Sequence, residues 1–386
     1  MSNKHEVVIV AYGRTHLARA FKGSFAQSHP IDYAAAALKG VLAKVPAVPV
    51  DEIDDIIVGC AIPENHTGYN VARLIAQRAG LSDLVCAQTI NRFCSSGLQS
   101  IATAANAILA GQMDIVVAGG VEMMTGIAMG HPEEFQNTWL GENIPASYVG
   151  MGITAENVAK AYGITRLEME EMAVASHQKA AAAQAAGKFA DEIIPVEVLG
   201  ENGPVAVTQD EGIRPSTSLE SLAGLKPCFV EDGLVTAATS SQMTDGASFA
   251  VLMSRQKADA LGIAPIARFV SFAVGGVAPE VMGIGPKVAV PKALSMAGLS
   301  MDDMDVIELN EAFASQAIAC IRDLNMPKEK VNPNGGAMAL GHPMGATGCV
   351  LVCKALSELK RTGGKYALIT MCIGGGMGAA GVFELL

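Results

Sequence analysis

Apolar and polar positions follow two alternating periods along most of the chain. Short apolar runs, read as strands, are separated by Ala-rich stretches with helical spacing. Residues 7–11 read as a first strand and 32–43 as a helix. An acidic lead-in precedes the apolar run 53–59, after which 69–79 looks helical and 87–91 strand-like. That last run ends on Arg92-Phe93-Cys94, followed by an Ala-rich helix over 95–111 and a buried strand over 114–119. Strands alternating with helices predict an α/β layered sheet.

The plan is replayed after residue 264. Residues 267–274 match the first strand, 290–297 read as helical, and 304–310 repeat the acidic lead-in and apolar run of 53–59. A helix over 345–361 ends at Gly363-Gly364, and the strand 366–372 stands where 115–120 stood. Two halves of like order imply an internal duplication with sites at the junction. The predicted division is therefore an N-terminal half 1–120, an inserted segment 121–254 and a C-terminal half 255–386. The insertion begins loop-rich, with 126–148 as the place for oligomer contacts, and continues with helices over 154–162 and 166–187. Thr165 is a good N-cap for the second, with Glu168 completing a capping box. A strand over 193–199 leads to a turn at Asn202-Gly203-Pro204.

Composition narrows the class. In 386 residues, half are hydrophobic but only 5% are aromatic, so small residues carry the core and suit helices packed closely on sheets. A net charge of −11 argues against nucleic acid or an anionic membrane as partner, since both need a basic footprint. Residues 1–6 show no export signal and no apolar segment reaches the length of a membrane span, so the expected setting is cytoplasmic with free thiols. The eight cysteines form no CxxC pair and no zinc spacing, and no metal is expected.

Four short stretches carry candidate chemistry. Cys372 ends a buried strand and is followed by Gly374-Gly375-Gly376, whose backbone N–H groups suit an oxyanion or a thioester oxygen. Cys94 stands at a strand-to-helix turn, where the partial positive charge of a helix N-terminus favours a thiolate. A buried inert thiol is the plain alternative for either. His342, between Gly341 and Pro343, is fixed in an irregular loop and suits a positioned base. Asn310-Glu311 ends an apolar strand and reads either as a cap for the next helix or as an amide that holds a water or a substrate oxygen. Cys–His nucleophilic catalysis accounts for these pieces better than a metal site.

These stretches resemble the thiolases, and the resemblance runs along essentially the whole chain. Besides Cys94, Asn310-Glu311-Ala312-Phe313, Gly341-His342-Pro343 and Cys372-Ile373-Gly374, it includes Met151-Gly152-Ile153-Thr154-Ala155-Glu156-Asn157. Val235-Thr236-Ala237-Ala238-Thr239-Ser240-Ser241 and Met282-Gly283-Ile284-Gly285-Pro286 match further family motifs.

The resemblance implies a duplicated five-layered α-β-α-β-α fold with an inserted α/β loop domain, in a homodimer or homotetramer. It makes Cys94 the acylated nucleophile, His342 its base and Cys372 the second acid/base. One oxyanion hole would be His342 with a water held by Asn310, the other the N–H groups of Cys94 and Gly374. Coenzyme A enters as substrate, with no permanently bound cofactor. Arg214 would lie at its nucleotide end and Ser241 on the pantetheine, with Met151, Phe229 and Met282 near the thioester.

Biosynthetic acetoacetyl members carry His-Met at Gly150-Met151 and Gly-Asn-Ala-Ser at Ala238-Thr239-Ser240-Ser241. The forms here look more like the degradative 3-ketoacyl-CoA thiolases of fatty-acid β-oxidation. His16 stands where the family usually places Pro. The expected activity is CoA-dependent cleavage of 3-ketoacyl-CoA to acetyl-CoA and a shortened acyl-CoA through an acyl-cysteine. An acetyl-CoA C-acetyltransferase acting on acetoacetyl-CoA is the near alternative, and a non-catalytic acyl-CoA or lipid carrier the remote one. Chain-length preference, direction and a hydratase/dehydrogenase partner stay open.

Overall fold

The computed structural model describes residues 6–127, 129–200 and 203–386; Asn202 of the expected turn lies outside them. In the first part of the chain the strands are β1 (Val7–Arg14), β2 (Ala18–Arg19), β3 (Asp55–Gly59), β4 (Cys86–Ile90) and β5 (Ile115–Glu122). A hairpin, β6 (Val196–Gly200) and β7 (Gly203–Val207), precedes β8 (Thr244–Ser254) and β9 (Ala267–Gly276). The last three are β10 (Val306–Leu309), β11 (Tyr366–Ile373) and β12 (Met377–Leu385).

Helices α1 (Pro30–Ala43), α2 (Val71–Arg78) and α3 (Ser96–Leu109) belong to the first half. Next come α4 (Thr138–Asn143), α5 (Met151–Tyr162), α6 (Arg166–Ala185), α7 (Leu219–Leu222) and α8 (Arg255–Ala260). The second half carries α9 (Gly285–Ala297), α10 (Ala314–Asp323), α11 (Ala337–Leu340) and α12 (Met344–Thr362). The capping box expected at Thr165 and Glu168 opens α6.

The main strands run in the order β10-β11-β12-β9-β1-β8-β5-β3-β4, with β2 beside β8, as a 10-stranded sheet. The two halves meet at β1 and β9 through only Val8↔Arg268 and Ile9↔Ala267, so this seam is a narrow join between two sheets. Alternate residues of each strand enter different cores. Val117, Val58 and Val251 face α1 and α2, while Val116, Ile57 and Leu252 face α3 and α12. In the second half Ile369 and Val306 face the same central helices, while Leu368 and Ile307 face α9 and α10. The result is helices, sheet, helices, sheet, helices: the expected α-β-α-β-α stack. Strands covered on both sides turn apolar residues toward both cores, so β3, β5 and β11 read as short, largely continuous apolar runs.

Four strands escape the sequence pattern: the two-residue β2, β7, which begins inside the expected turn at Gly203-Pro204, and the longer β8 and β12. The eleven residues of β8 are all buried, and it lies between β1 and β5 although it sits at the end of the segment 121–254. Rich in Gly and Ala, β12 completes the second half with an antiparallel pairing to β11. Neither alternates polar with apolar, so neither has a period-2 signature.

The central helices approach to backbone contact. A Cβ added to Gly97 in α3 would lie 2.8 Å from the Gly345 carbonyl oxygen of α12, and one at Gly348 would overlap the Leu98 backbone nitrogen. Small residues are required there because neither backbone can withdraw. Buried ion pairs tie this centre to its surroundings. Lys354 of α12 donates to Glu308 at 2.6 Å and to the Gly335 carbonyl at 2.7 Å. Arg14 at the end of β1 holds Asp210 at 2.7 and 2.9 Å and Glu192 at 2.9 Å, fixing the insertion to the sheet. His16 is buried beside Phe25, with Nε2 2.7 Å from Ser24 Oγ, and so shapes the loop after β1.

Replacing Gly348 with Ala is expected to cost about 2–3 kcal/mol or more by forcing α12 off α3. Gly224→Ala, whose methyl meets nothing within 4 Å, is the control and should change stability by less than about 0.5 kcal/mol. Denaturant unfolding reads both, and an unchanged midpoint for Gly348→Ala would contradict the close approach.

Candidate active site

The first-turn geometry of α3 comes from three residues around Cys94. Phe93 has φ 44°, a left-handed conformation rare for an aromatic residue. It is held there by Asn91, whose Oδ1 accepts from Phe93 N at 2.8 Å, and by Ser96, whose hydroxyl accepts from Arg92 N and donates to the Phe93 carbonyl. This sharp turn leaves Cys94 half-buried at the head of the helix. Burial pushes its thiol up to about 11, opposed by backbone N–H groups of Gly374 and of Cys94 itself directed at the sulfur. The helix terminus therefore does not make a resting thiolate here; desolvation outweighs it.

Cys372 lies near the end of β11, fully buried, and the strand packs against the turn that carries Cys94. Desolvation and the neighbouring Cys94 raise its thiol well above the ordinary range, so it stays protonated at neutral pH. Gly375 and Gly376 have φ 79° and 86°, and a Cβ on Gly376 would overlap the Val277 carbonyl. This tight turn sets Gly374 beside Met151 and Phe93, next to Cys94 in the chain.

His342 arrives from the opposite side, on the loop before α12. Gly341 has φ 108°, and a Cβ there would overlap the Thr244 hydroxyl, so only glycine lets the loop close. The His342 backbone N donates to the Gln242 carbonyl at 3.1 Å and faces Thr244 Oγ1 at 3.0 Å. Its Nδ1 is 2.6 Å from Thr347 Oγ1, and its Nε2 is 3.4 Å from Asn310 Nδ2. One tautomer serves both contacts: Nδ1–H donating to Thr347, and Nε2 accepting from the amide. Burial lowers the imidazole to about 4, so it is neutral at pH 7, with Nε2 able to take a proton. Glu122 anchors the start of α12 to the end of β3. Its carboxylate accepts from Gly345 N at 2.7 Å and from Ala61 N at 2.8 Å.

Asn310 does not cap α10. It is buried, and its Oδ1 has no partner among the described residues. Glu311 is not a cap either: it accepts from Ser176, Asn332 and Met338 N, tying α6 to the His342 loop. An orphan buried acceptor beside an imidazole suits a bound water, which can donate to it and to a neighbouring oxygen.

The roof is apolar. Met151, Met282, Phe313 and Met338 share one cluster with Cys372. Met151 Sδ is 3.4 Å from where a Cβ on Gly374 would stand. Phe229 crosses Phe313 edge-to-face at 5.9 Å and covers Gly152. Ser241 donates its backbone N–H to the Ala312 carbonyl at 2.9 Å, which places it beside the Asn310 loop. Arg214 stands apart, exposed on a loop pinned where its N–H donates to His177 Nδ1 at 3.1 Å. Among the described residues no hydrogen bond joins it to the two sulfurs or to His342. Thr347, Glu122 and Gln316, whose Oε1 lies 3.6 Å from Cys372 Sγ, are additions that sequence reasoning missed. Thr347 alone had a usable signal, one helical turn beyond the glycine-flanked histidine.

Comparison with known proteins agrees with this geometry. Residues 7–256 match the family model for the thiolase N-terminal domain, and 263–385 that for the C-terminal domain. A 3-ketoacyl-CoA thiolase of Bacillus subtilis (strain 168) is 52% identical over 390 residues, covering 98% of this chain and 99% of that protein. Among solved structures, the Bacillus anthracis acetyl-CoA acetyltransferase superposes with a TM-score of 0.92 at 38% identity. Human mitochondrial 3-ketoacyl-CoA thiolase gives 0.91 at 36%. Each covers 99% of both chains.

The resting protonation state can be measured. With Cys94 at about 11 and His342 at about 4, alkylation of Cys94 by a neutral reagent should rise about tenfold per pH unit from pH 7 to 9. A rate flat over that range would mean a preformed thiolate–imidazolium pair and contradict the neutral pair.

Proposed function

The chain belongs to the thiolase family, and on that footing we propose that it cleaves 3-ketoacyl-CoA with coenzyme A through an acyl group carried on Cys94. The observation that carries this reading is the convergence of two thiols from different halves: the strand that ends on Cys372 packs against the turn that carries Cys94, with Gly374 beside Phe93 and Met151. Cleaving a carbon–carbon bond beside a ketone requires a soft nucleophile, stabilisation of oxyanion and enolate charge, and a proton donor.

The Cys94 sulfur attacks the 3-keto carbon while its proton passes to His342 Nε2. The N–H groups of Cys94 and Gly374 stabilise the oxyanion. As it collapses, the bond between C2 and C3 breaks, leaving an acyl-thioester on Cys94 and the enolate of acetyl-CoA. A water on Asn310 together with His342 stabilises the enolate oxygen, and Cys372 donates its proton to the enolate carbon. A second coenzyme A then gives its thiol proton to the Cys372 thiolate and attacks the acyl group. Cys94 leaves with the proton stored on His342, and all three groups return to their starting state. The chain's own side chains thus supply every proton transfer.

Ser241, Met151, Phe229 and Met282 are proposed to line the pantetheine and thioester end, and Arg214 the nucleotide end. The three-part division at 120 and 254 carries over to this reading, with β8 supplying a strand to the core sheet from the end of the inserted segment. A homodimer or homotetramer in the cytoplasm, serving fatty-acid β-oxidation, completes the proposal. No helix among the described residues is long and apolar enough to cross a membrane. The condensing acetoacetyl-CoA reaction is the second reading, favoured by the Bacillus anthracis match. Against it stands Gly150, which by the resemblance leaves the pocket open where biosynthetic members carry His; a Cβ there would meet nothing within 4 Å.

Catalytic efficiency on 3-ketoacyl-CoA substrates of rising length is expected to hold or increase beyond four carbons; activity confined to acetoacetyl-CoA would support the second reading instead. Cys94→Ala should abolish thiolysis while coenzyme A affinity stays within about twofold. Residual cleavage at more than about a thousandth of the original rate would remove Cys94 as nucleophile.

A further inference from the structure

Building on the thiolase reading, we propose that Gln316 is a positioning residue for Cys372, its side-chain amide accepting the thiol hydrogen and so holding that proton at the reacting position until the enolate forms. Gln316 sits in the first turn of α10 and is fully buried. Its Oε1 lies 3.6 Å from Cys372 Sγ and also accepts from the Ala312 backbone N–H at 3.1 Å. The second contact fixes which end of the amide faces the sulfur. Turned over, the NH₂ group would confront the Ala312 donor, so the oxygen must point inward. Facing an acceptor oxygen, the sulfur is held as the donor S–H; a thiolate there would oppose two lone pairs.

The amide has little freedom to move. A Cβ on Gly283 would come within 2.5 Å of Gln316 Cβ, so the helix and the Met282-Gly283 segment confine the side chain. Its other end, Nε2, is buried with no partner among the described residues. Leaving a buried donor unsatisfied costs about 1–3 kcal/mol, and such exceptions in native structures call for a reason. An amide kept here for its oxygen, beside a reacting thiol, supplies one. The sequence separation of 56 residues between the partners explains why no local motif shows the pair.

The test measures two half-reactions in Gln316→Leu and Gln316→Glu. Acylation of Cys94 by a 3-ketoacyl-CoA is complete before the Cys372 proton moves, whereas exchange of the acetyl-CoA α-protons with deuterated solvent requires proton transfer at Cys372. In Gln316→Leu, exchange at pH 8 should fall about tenfold or more, with acylation within about twofold. Gln316→Glu keeps an acceptor for Ala312 and Cys372 and adds negative charge. It should retain exchange, with its pH profile displaced upward by about one unit. Wild-type exchange in Gln316→Leu would overturn the assignment. So would a uniform loss in both variants with the pH profile unmoved, the signature of a merely structural role for this side chain. If the leucine variant does not fold, the Gln316→Glu profile decides alone. Absence of both acylation and exchange in the unaltered enzyme would overturn the thiolase reading itself.

Discussion

Backbone contact between α3 and α12 at Gly97, Gly345 and Gly348 is the constraint from which the site follows. Each helix begins beside a reactive side chain: Cys94 just before α3, His342 just before α12. The two come from opposite halves of a duplicated chain, and the glycines that let α3 and α12 touch bring the two helix starts together. Glu122 reinforces the contact by accepting N–H groups from both Gly345 and the residues after β3. Because β11 packs against the same turn, Cys372 is delivered to the same place.

Burial then sets the chemistry. The same desolvation raises Cys94 to about 11 and lowers His342 to about 4, so both rest uncharged. A site built this way holds no stored ion pair in a dry pocket. In the proposed mechanism charge appears only while substrate is bound, and the Gly374 and Cys94 amides and a water on Asn310 meet it. Preorganised dipoles of this kind are among the largest contributions an active site makes. Cys372, held protonated, is suited to giving a proton to carbon.

Much of this was legible in the chain itself. The α/β alternation, the repeat and the positions of Cys94, His342 and Cys372 at element ends all follow from local pattern, and the family resemblance assigned them roles. What stayed hidden is physical in origin. Strand β8 mixes Thr, Asp, Gly and Ser with its apolar residues and β12 is rich in Gly and Ala, so neither shows a clear apolar run or an alternation. Asn310 and Glu311 read equally as helix caps, and only the fold shows one beside His342 and the other binding three separate segments. Gln316 is an ordinary polar residue in a first helical turn, made special by a strand far along the chain. For Arg214, the fold shows a loop pinned by His177, while its role toward coenzyme A still rests on the resemblance.

The central claim is that carbon–carbon cleavage passes through an acyl group on Cys94. Mixing the enzyme with a six-carbon 3-ketoacyl-CoA in the absence of free coenzyme A, quenching in acid and mapping peptides by mass spectrometry tests it directly. The account predicts a four-carbon acyl adduct on the peptide containing Cys94, discharged on adding coenzyme A. An adduct on another residue, or acetyl-CoA formed without any adduct, would contradict it.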